Sequence, residues 1–259
     1  MLSLYALVVF RLLITVINWP VYFFNRFGWI KETVRYHLWN GMTITSRPYS
    51  IDGSALNEVW FERSYDPNAY GIPFDWSSAT HIIDIGGHIG TFTIFAAAQA
   101  KKAQIVTLEP EASNYAMLTS NIMTNTLSTR ITTYNRGLGN DQPITLYTFP
   151  GDRGGNSVSR TNEGGIPITI ETMSLQTIFD RHSITVCDYL KIDCEGAEYE
   201  ALYALPPEYF RRIRMIGLEY HHFSHDPTHS SDHLQRHLEK NGMTVMRHKK
   251  SMMLAYQTR

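Results

Sequence analysis

The sequence predicts an α/β fold with a doubly wound, mostly parallel sheet. Short β-branched runs alternate with helical segments through most of the chain, and several of these runs end in glycine or an acidic residue. The chain has 259 residues, of which 43% are apolar and 18% are charged. This length and composition are sufficient to bury one large core.

The alternation of strands and helices can be followed from residue 80 to the end of the chain. We predict strands at 80–85, 104–108, 131–134, 188–192 and 214–219, and helices at 91–100, 111–123, 196–204 and 231–241. Two final segments, 243–248 and 251–256, predict an antiparallel hairpin at the sheet edge.

Residues 143–170 interrupt this alternation of strands and helices and predict an antiparallel, β-rich insertion. They contain β-rich pieces around a glycine-rich loop at 151–160. This loop is either a mobile substrate lid, with Arg153, Asn156 and Arg160 contacting an anionic or sugar substrate, or an ordinary hairpin loop.

The first 30 residues are strongly apolar, but arginines, an asparagine and a proline interrupt them. The longest stretch without a charged residue, 12–25, is shorter than the roughly 20 residues that a bilayer crossing takes. Three interpretations remain open. They are a helix packed on the domain or on a second subunit of a homodimer, a helix at the membrane surface with Arg11 and Arg26 facing head groups, and a true span or signal anchor.

The charge and cysteine content argue against a nucleic-acid-binding protein and against a disulfide-stabilised one. Lys and Arg number 23 and Asp and Glu number 24, so the net charge of −1 gives no global case for nucleic-acid binding. The two cysteines, Cys187 and Cys194, cannot form a disulfide framework. We therefore predict a cytoplasmic protein, with membrane association as the open alternative.

The sequence DIGGHIG, residues 84–90, predicts a ligand-binding turn between a strand and a helix. Its glycines, Gly86, Gly87 and Gly90, permit positive φ angles and close approach of the backbone to a ligand. Their spacing differs from the dinucleotide pattern G-x-G-x-x-G, which disfavours a nicotinamide cofactor. Asp84 would repel a pyrophosphate but suits a cationic amino group.

Glu109 ends the second strand, 19 residues after Gly90. A carboxylate at this place can accept hydrogen bonds from both hydroxyls of a ribose. Together with Asp84, it describes a nucleoside ligand that has an amino-acid-like end and no phosphate. That ligand is S-adenosylmethionine.

The run DYLKIDCEGAE, residues 188–198, places further acidic residues after a strand. Asp193 and Glu195 are expected at the same rim as Asp84 and Glu109, because the carboxyl ends of parallel strands meet there. Glu195 and Glu198 could instead cap the next helix. Asp193, Glu195 and two histidines after the 214–219 strand, His221 and His222, are the candidate general bases.

These segments resemble the FkbM-type methyltransferases. The resemblance rests on DIGGHIG, LEPEASNYAMLTSNI, LKIDCEGAE and IGLEYH, and it covers residues 50–259, leaving 1–49 as an apolar N-terminal extension. It implies a Rossmann-like methyltransferase sheet and an S-adenosylmethionine-dependent O-methyltransferase (class 2.1.1) acting on a small metabolite, sugar or glycan precursor. An amine, lipid-linked or protein acceptor, and a non-catalytic cofactor-binding protein, are the alternatives.

By this resemblance, Asp84, Gly86 and Gly90 line the methionine end of the cofactor and Glu109 binds the ribose. Gly87 and His88 stand where the family usually has alanine and asparagine, and His88 can still donate a hydrogen bond. The segment ahead of the first strand is also similar, so Glu58 joins the predicted cofactor-binding residues.

Six histidines fall between residues 221 and 237. His233 and His237 are four residues apart on a predicted helix, a spacing that can chelate a metal. We interpret the group as a polar loop and a solvated helix face, and predict no metal site.

Overall fold

A computed structural model of the chain describes residues 4–149, 152–157, 166–194, 196–221, 226–249 and 251–258. The α-helices are α1 (Leu4–Thr15), α2 (Pro20–Arg26), α3 (Asp52–Leu56), α4 (Thr91–Gln99), α5 (Ala112–Thr124), α6 (Leu175–Arg181), α7 (Glu198–Ala204), α8 (Pro207–Phe210) and α9 (Ser231–Lys240). The strands are β1 (Val34–His37), β2 (Thr43–Ser46), β3 (His81–Ile85), β4 (Gln104–Leu108), β5 (Ile131–Tyr134), β6 (Gly137–Leu138), β7 (Ile144–Phe149), β8 (Asp152–Ser157), β9 (Ile166–Ile170), β10 (Thr172–Met173), β11 (Tyr189–Ile192), β12 (Met215–Glu219), β13 (Thr244–His248) and β14 (Met252–Tyr256). A π-helical turn lies at Asn57–Phe61, and 3₁₀ turns lie at Pro67–Tyr70 and Trp76–Ser78.

Seven strands form the central sheet, in the order β13–β14–β12–β11–β3–β4–β5. The five strands from β12 to β5 run parallel. β14 pairs antiparallel with both β12 and β13. The predicted doubly wound sheet with an antiparallel C-terminal hairpin is therefore confirmed.

Both faces of the central sheet are buried. Ile82 and Ile105 pack into the core on one face, together with α4 and α5. Their strand neighbours Ile83 and Val106 pack into the core on the other face, with α6, α7 and α9. This double burial explains why the strands are continuously apolar instead of alternating with polar residues.

Residues 4–49 pack onto the same domain. Leu12 and Val16 are buried in the core of the α4 face. The β1–β2 hairpin is tied to α5 because the side-chain amides of Asn121 and Asn125 pair with the backbone of β2. None of the helices within the described ranges has the length and hydropathy that a bilayer crossing requires.

The insertion forms a separate antiparallel sheet in the order β8–β7–β9, which confirms the β-rich insertion that the sequence predicts. β6 and β10 make a further, two-stranded parallel pair. Of the loop residues predicted to meet substrate, Arg160 lies outside the described ranges. Arg153 and Asn156 are described only as part of strand β8.

Candidate functional site

A cleft of about 240 Å³ opens at the carboxyl ends of β3, β4, β11 and β12. Gly86, Gly87, Glu109, Asp193 and His221 are among the residues that line it. Side chains from four different strand ends thus meet at one rim, as expected for a parallel sheet. We call this space the first cleft.

The glycine turn after β3 permits very close backbone contacts. Gly86 has a φ of +78°, and a Cβ there would lie 1.7 Å from the carbonyl oxygen of Asp193. A Cβ on Gly87 would lie 2.4 Å from Oγ1 of Thr107. Gly90, with a φ of +91°, packs behind the turn against α5. Gly86 and Gly87 therefore shape the cleft wall, and Gly90 fixes the start of α4.

Asp84 lies beneath the turn, fully buried. Its Oδ2 accepts a hydrogen bond from Thr93 at 2.5 Å, and its Oδ1 lies 3.3 Å from Nζ of Lys191. Lys191, directly opposite Asp84 in the register of β3 and β11, donates to the carbonyl oxygens of Ile85 and Gly86. Asp84 therefore supports the turn through Lys191, where the sequence predicted direct contact with a ligand.

Lys191 keeps its charge in this buried position. Burial favours the neutral amine, but the carboxylates of Asp84 and Asp193 outweigh it and raise the pKa of Lys191. Whether this side chain meets a carboxylate depends on strand register, which a single sequence does not specify.

Glu109 is held in a fixed orientation at the wall of the first cleft. Its two oxygens accept hydrogen bonds from the backbone N–H groups of His88, at 2.8 Å, and Glu111, at 3.0 Å. Burial raises the pKa of Glu109 to about 7, although these donors favour the ionised form. The carboxylate is thus oriented before a ligand arrives and is sensitive to protonation near neutral pH.

A buried network joins the N-terminal segment to this wall. Arg47 donates to Asp52 through its backbone N–H and its guanidinium, and its Nη2 donates to Oδ1 of Asn114 at 2.6 Å. Nε2 of His88 lies 3.3 Å from Asp52, and the φ of His88 is +50°. Burial lowers the pKa of His88 to about 4, so the ring is neutral at pH 7. Sequence reasoning missed Arg47 and Asp52, because their pairing with each other and with Asn114 depends on how the N-terminal segment packs.

Three carboxylates crowd the deeper part of the first cleft. Tyr65 donates to Oδ2 of Asp193 at 3.1 Å and, more weakly, to Oε2 of Glu219 at 3.5 Å. Burial and then the charge of Asp193 raise the pKa of Glu219. Burial, followed by the charges of Glu219 and Asp193, raises the pKa of Glu58 to about 7. With Lys191 as the neighbouring cation, this region carries excess negative charge and favours a positively charged ligand.

Glu58 reaches the cleft from the π-helical turn. There the N–H of Glu62 donates to the carbonyl of Asn57 at 2.8 Å, a wider spacing than that of an α-helix. Such turns occur frequently at functional sites, where they redirect a side chain.

Replacing Glu58 with glutamine is expected to stabilise the ligand-free protein at pH 8 by ~1–2 kcal/mol, since it removes a buried charge. The folded-state pKa of Glu58, about 7, is raised above its unfolded value of 4.5. The free energy of unfolding is therefore higher at acidic pH, where Glu58 is protonated, and it falls as the pH rises through 7. Urea unfolding at pH 6 and pH 8 should show that the free energy of unfolding falls less between these pH values in the variant than in the wild type.

Glu62→Gln is the matched control. Glu62 is in the same region of the chain but pairs with Lys249, so its replacement should not stabilise the protein. An equal gain in both variants would contradict the assignment of this cost to the buried charge of Glu58.

His221 follows β12 and is held by a buried carboxylate. Its backbone N–H donates to Oε1 of Glu198 at 2.7 Å, and its Nδ1 lies 3.3 Å from the same oxygen. Oε2 of Glu198 accepts from the N–H of Gly196. Glu198, which the sequence offered as a helix cap, therefore orients His221 and favours the tautomer with a proton on Nδ1. Glu195 and His222, also predicted as candidate bases, lie outside the described residues.

A second, larger cleft of about 750 Å³ adjoins the first. Its walls combine aliphatic side chains, such as Leu175 and Leu205, with polar ones, such as Asp141, Gln176 and Glu200. The residues that line both clefts are Leu138, Ile144, Ala197 and His221. Within the described part of the chain, His221 is the titratable group at this junction.

Two of the six histidines between residues 221 and 237, His233 and His237, each contact a neighbouring residue. Nδ1 of His233 lies 2.9 Å from the hydroxyl of Tyr203, and Nε2 of His237 lies 3.1 Å from the carbonyl of Leu202. His225 lies outside the described residues. The described side chains that could together hold a metal are Asp193, Glu219 and His221, whose ligand atoms lie within 4.8 Å of one another.

Comparison with known proteins identifies related sequences and structures. A family model described as the methyltransferase FkbM domain matches residues 84–244, well over half of the chain. "Methyltransferase sdnD" of Sordaria araneosa is 22% identical, and the match covers 80% of this chain and 93% of the relative. "Methyltransferase 1" of Beauveria bassiana is 26% identical, with 62% and 70% covered.

Among solved structures, methyltransferase FkbM from Methylobacillus flagellatus is 16% identical, with a TM-score of 0.45. The match covers 82% of this chain and 55% of that one.

Proposed function

Because the chain belongs to the FkbM methyltransferase family, we propose that it is an S-adenosylmethionine-dependent O-methyltransferase. Its acceptor is a hydroxyl of a small metabolite, a sugar or a glycan precursor. The observation that carries this proposal is the position of His221 at the junction of the two clefts, held by Glu198. This position supports a role for His221 as the proton acceptor, between the first cleft as the cofactor site and the second cleft as the space for the acceptor.

The first cleft suits S-adenosylmethionine in charge and in hydrogen bonding. Glu109 offers an oriented carboxylate to the ribose hydroxyls. Glu58, Asp193 and Glu219 supply negative charge that a cationic ligand would balance. When bound, this cofactor supplies a methyl group on a positively charged sulfur.

His221 and Asp193 have different roles in the proposed reaction, proton transfer and orientation. His221 takes the proton from the acceptor hydroxyl, and Glu198 stabilises the imidazolium that forms. Asp193 is fixed by Tyr65 and lies 3.7 Å from Lys191, so it orients groups at the cleft rim. Oriented groups reduce the entropy cost of bringing two reactants together.

The second cleft favours an acceptor with substantial apolar surface. Its wall combines aliphatic residues with a parallel stack of Tyr199 on His229, whose ring centroids are 4.9 Å apart. The charged side chains among its described lining residues are acidic, Asp141 and Glu200. This charge disfavours phosphorylated acceptors and suits a neutral hydroxylated compound.

The first experiment is calorimetric titration of the purified protein with S-adenosylhomocysteine, with NADH as the matched nucleotide. We expect binding of the first and none of the second. Turnover is then assayed with S-adenosylmethionine and a panel of phenols and glycosides, each paired with its amine analogue.

Methylation of the hydroxyl compounds in preference to their amine analogues would support the proposal. Binding of NADH instead would refute the cofactor assignment. Methylation of the amines alone would move the acceptor class to amines while leaving the cofactor assignment intact.

A further inference from the structure

Exposed apolar side chains are concentrated at the N-terminus. Among the described residues, thirteen large apolar side chains are exposed, and eleven of them lie between residues 10 and 51. We define the N-terminal apolar face as Phe10, Leu13, Ile14, Ile17, Trp19, Phe24, Phe27, Trp29 and Trp39. Exposed apolar side chains concentrated in one part of a fold mark a site of interaction with a protein or a membrane.

Helix α1 and the turn after it contribute an aliphatic stripe to this face. Residues 10, 13, 14 and 17 follow helical spacing and are all exposed. Leu12 and Val16, on the opposite side, are buried against the domain. The helix is thus apolar on two sides, and the fold of this chain covers one of them.

An aromatic group around α2 contributes the most exposed part of the face. Trp29 is 70% exposed and Phe27 is 64% exposed. Phe24 stacks on Trp29 with ring centroids 5.6 Å apart, and Phe27 packs at 5.7 Å from the same ring. Tryptophan is enriched at membrane–water interfaces, where its apolar ring and polar N–H meet both environments.

Positive charge accompanies the face. Residues 1–52 contain five Lys and Arg and two acidic residues, whereas the rest of the chain has 18 basic and 22 acidic residues. One of the five, Arg47, is buried and pairs with Asp52. Arg26, Lys31 and Arg35 are exposed. Arg11 is an exception to the sequence-based expectation, because its guanidinium donates to the carbonyl of Phe61 at 2.8 Å and faces the domain.

We propose that the N-terminal apolar face docks on the surface of an anionic lipid bilayer. Phe24, Phe27 and Trp29 enter the interfacial layer, and the neighbouring cations contact the head groups. A second copy of this chain is a poorer occupant, because a symmetric dimer through this face would bring its own cations together. Ile51, at the border of the face, also lines the first cleft, so docking brings that wall close to the bilayer.

The test is flotation of the 259-residue chain with vesicles of pure phosphatidylcholine and of phosphatidylcholine with about one-third phosphatidylserine. We expect binding to the anionic vesicles that weakens with added salt. The double variant Phe27→Ser/Trp29→Ser should lower the partition coefficient by about tenfold or more, and Arg26→Glu/Lys31→Glu should do the same. Circular dichroism and thermal melting verify that each variant is folded.

Two matched controls lie elsewhere on the surface. Lys101→Glu/Lys102→Glu repeats the charge reversal, and Ile166→Ser repeats the loss of an exposed apolar side chain; neither should change binding. Failure to bind either vesicle overturns the proposal, as does binding that survives Phe27→Ser/Trp29→Ser. A dimer in light scattering that the same variant dissociates, without vesicle binding, would assign the face to self-association and also overturn it.

Discussion

Replacing His221 with alanine is expected to lower kcat for methyl transfer by about 10²–10⁴-fold, the usual contribution of a general base. The affinity for S-adenosylhomocysteine should change little. His221 lines both clefts, and Glu198 contacts its backbone N–H and Nδ1. The measurement is kcat across pH, using the hydroxylated acceptor that gives turnover. The acid limb of this profile should disappear in the variant, and added imidazole should restore part of the rate.

Glu198→Gln separates positioning from proton transfer. An amide in place of the carboxylate can still accept from Nδ1 but does not stabilise the imidazolium. We expect a smaller loss of kcat than in His221→Ala, with the acid limb of the pH profile displaced.

His37→Ala is the control, because His37 is an exposed residue on β1. Full activity in His221→Ala, combined with loss in Asp193→Asn, would show that Asp193 is the base.

The central sheet and the rim that carries the site follow from local sequence. The runs at 80–85 and 104–108 are buried on both faces, so apolar content alone marks them as strands. The position of Glu109 is also predictable, because a carboxylate directly after a parallel strand lies at the carboxyl edge of the sheet, where ligands bind.

The electrostatic partners of the site do not follow from local sequence. Asp84 meets Lys191 because β3 and β11 are aligned in register across about a hundred residues of chain. Glu58 reaches the cleft because a π-helical turn rotates it there. The network of Arg47, Asp52 and His88 depends on how the N-terminal segment packs. Each of these depends on tertiary structure, which periodicity and spacing do not encode.

Glu109→Gln is expected to weaken binding of S-adenosylhomocysteine by at least about 10²-fold, since two hydrogen bonds to a charged acceptor are each worth ~1.5–3 kcal/mol. The backbone N–H groups of His88 and Glu111 hold the carboxylate of Glu109 in place. An amide has one acceptor oxygen, so it cannot serve both these donors and both ribose hydroxyls. Calorimetric titration at pH 8 measures the loss, and thermal melting verifies the fold.

The wild-type protein offers an independent test of the same carboxylate. Burial raises the pKa of Glu109 to about 7, so the ionised form that accepts from the ribose is depleted as the pH falls below 7. Affinity should therefore rise between pH 6 and pH 8. The pKa of Glu58 is also about 7, but Glu58→Gln should retain the part of the pH dependence that belongs to Glu109.

Glu239→Gln, an exposed change on α9, is the control and should bind S-adenosylhomocysteine as the wild type does. The ribose assignment would fail if folded Glu109→Gln bound it with wild-type affinity and the same pH dependence. Loss of affinity at pH 8, together with loss of the pH dependence that remains in Glu58→Gln, would identify the ionised carboxylate at the end of β4 as the group that recognises the nucleoside.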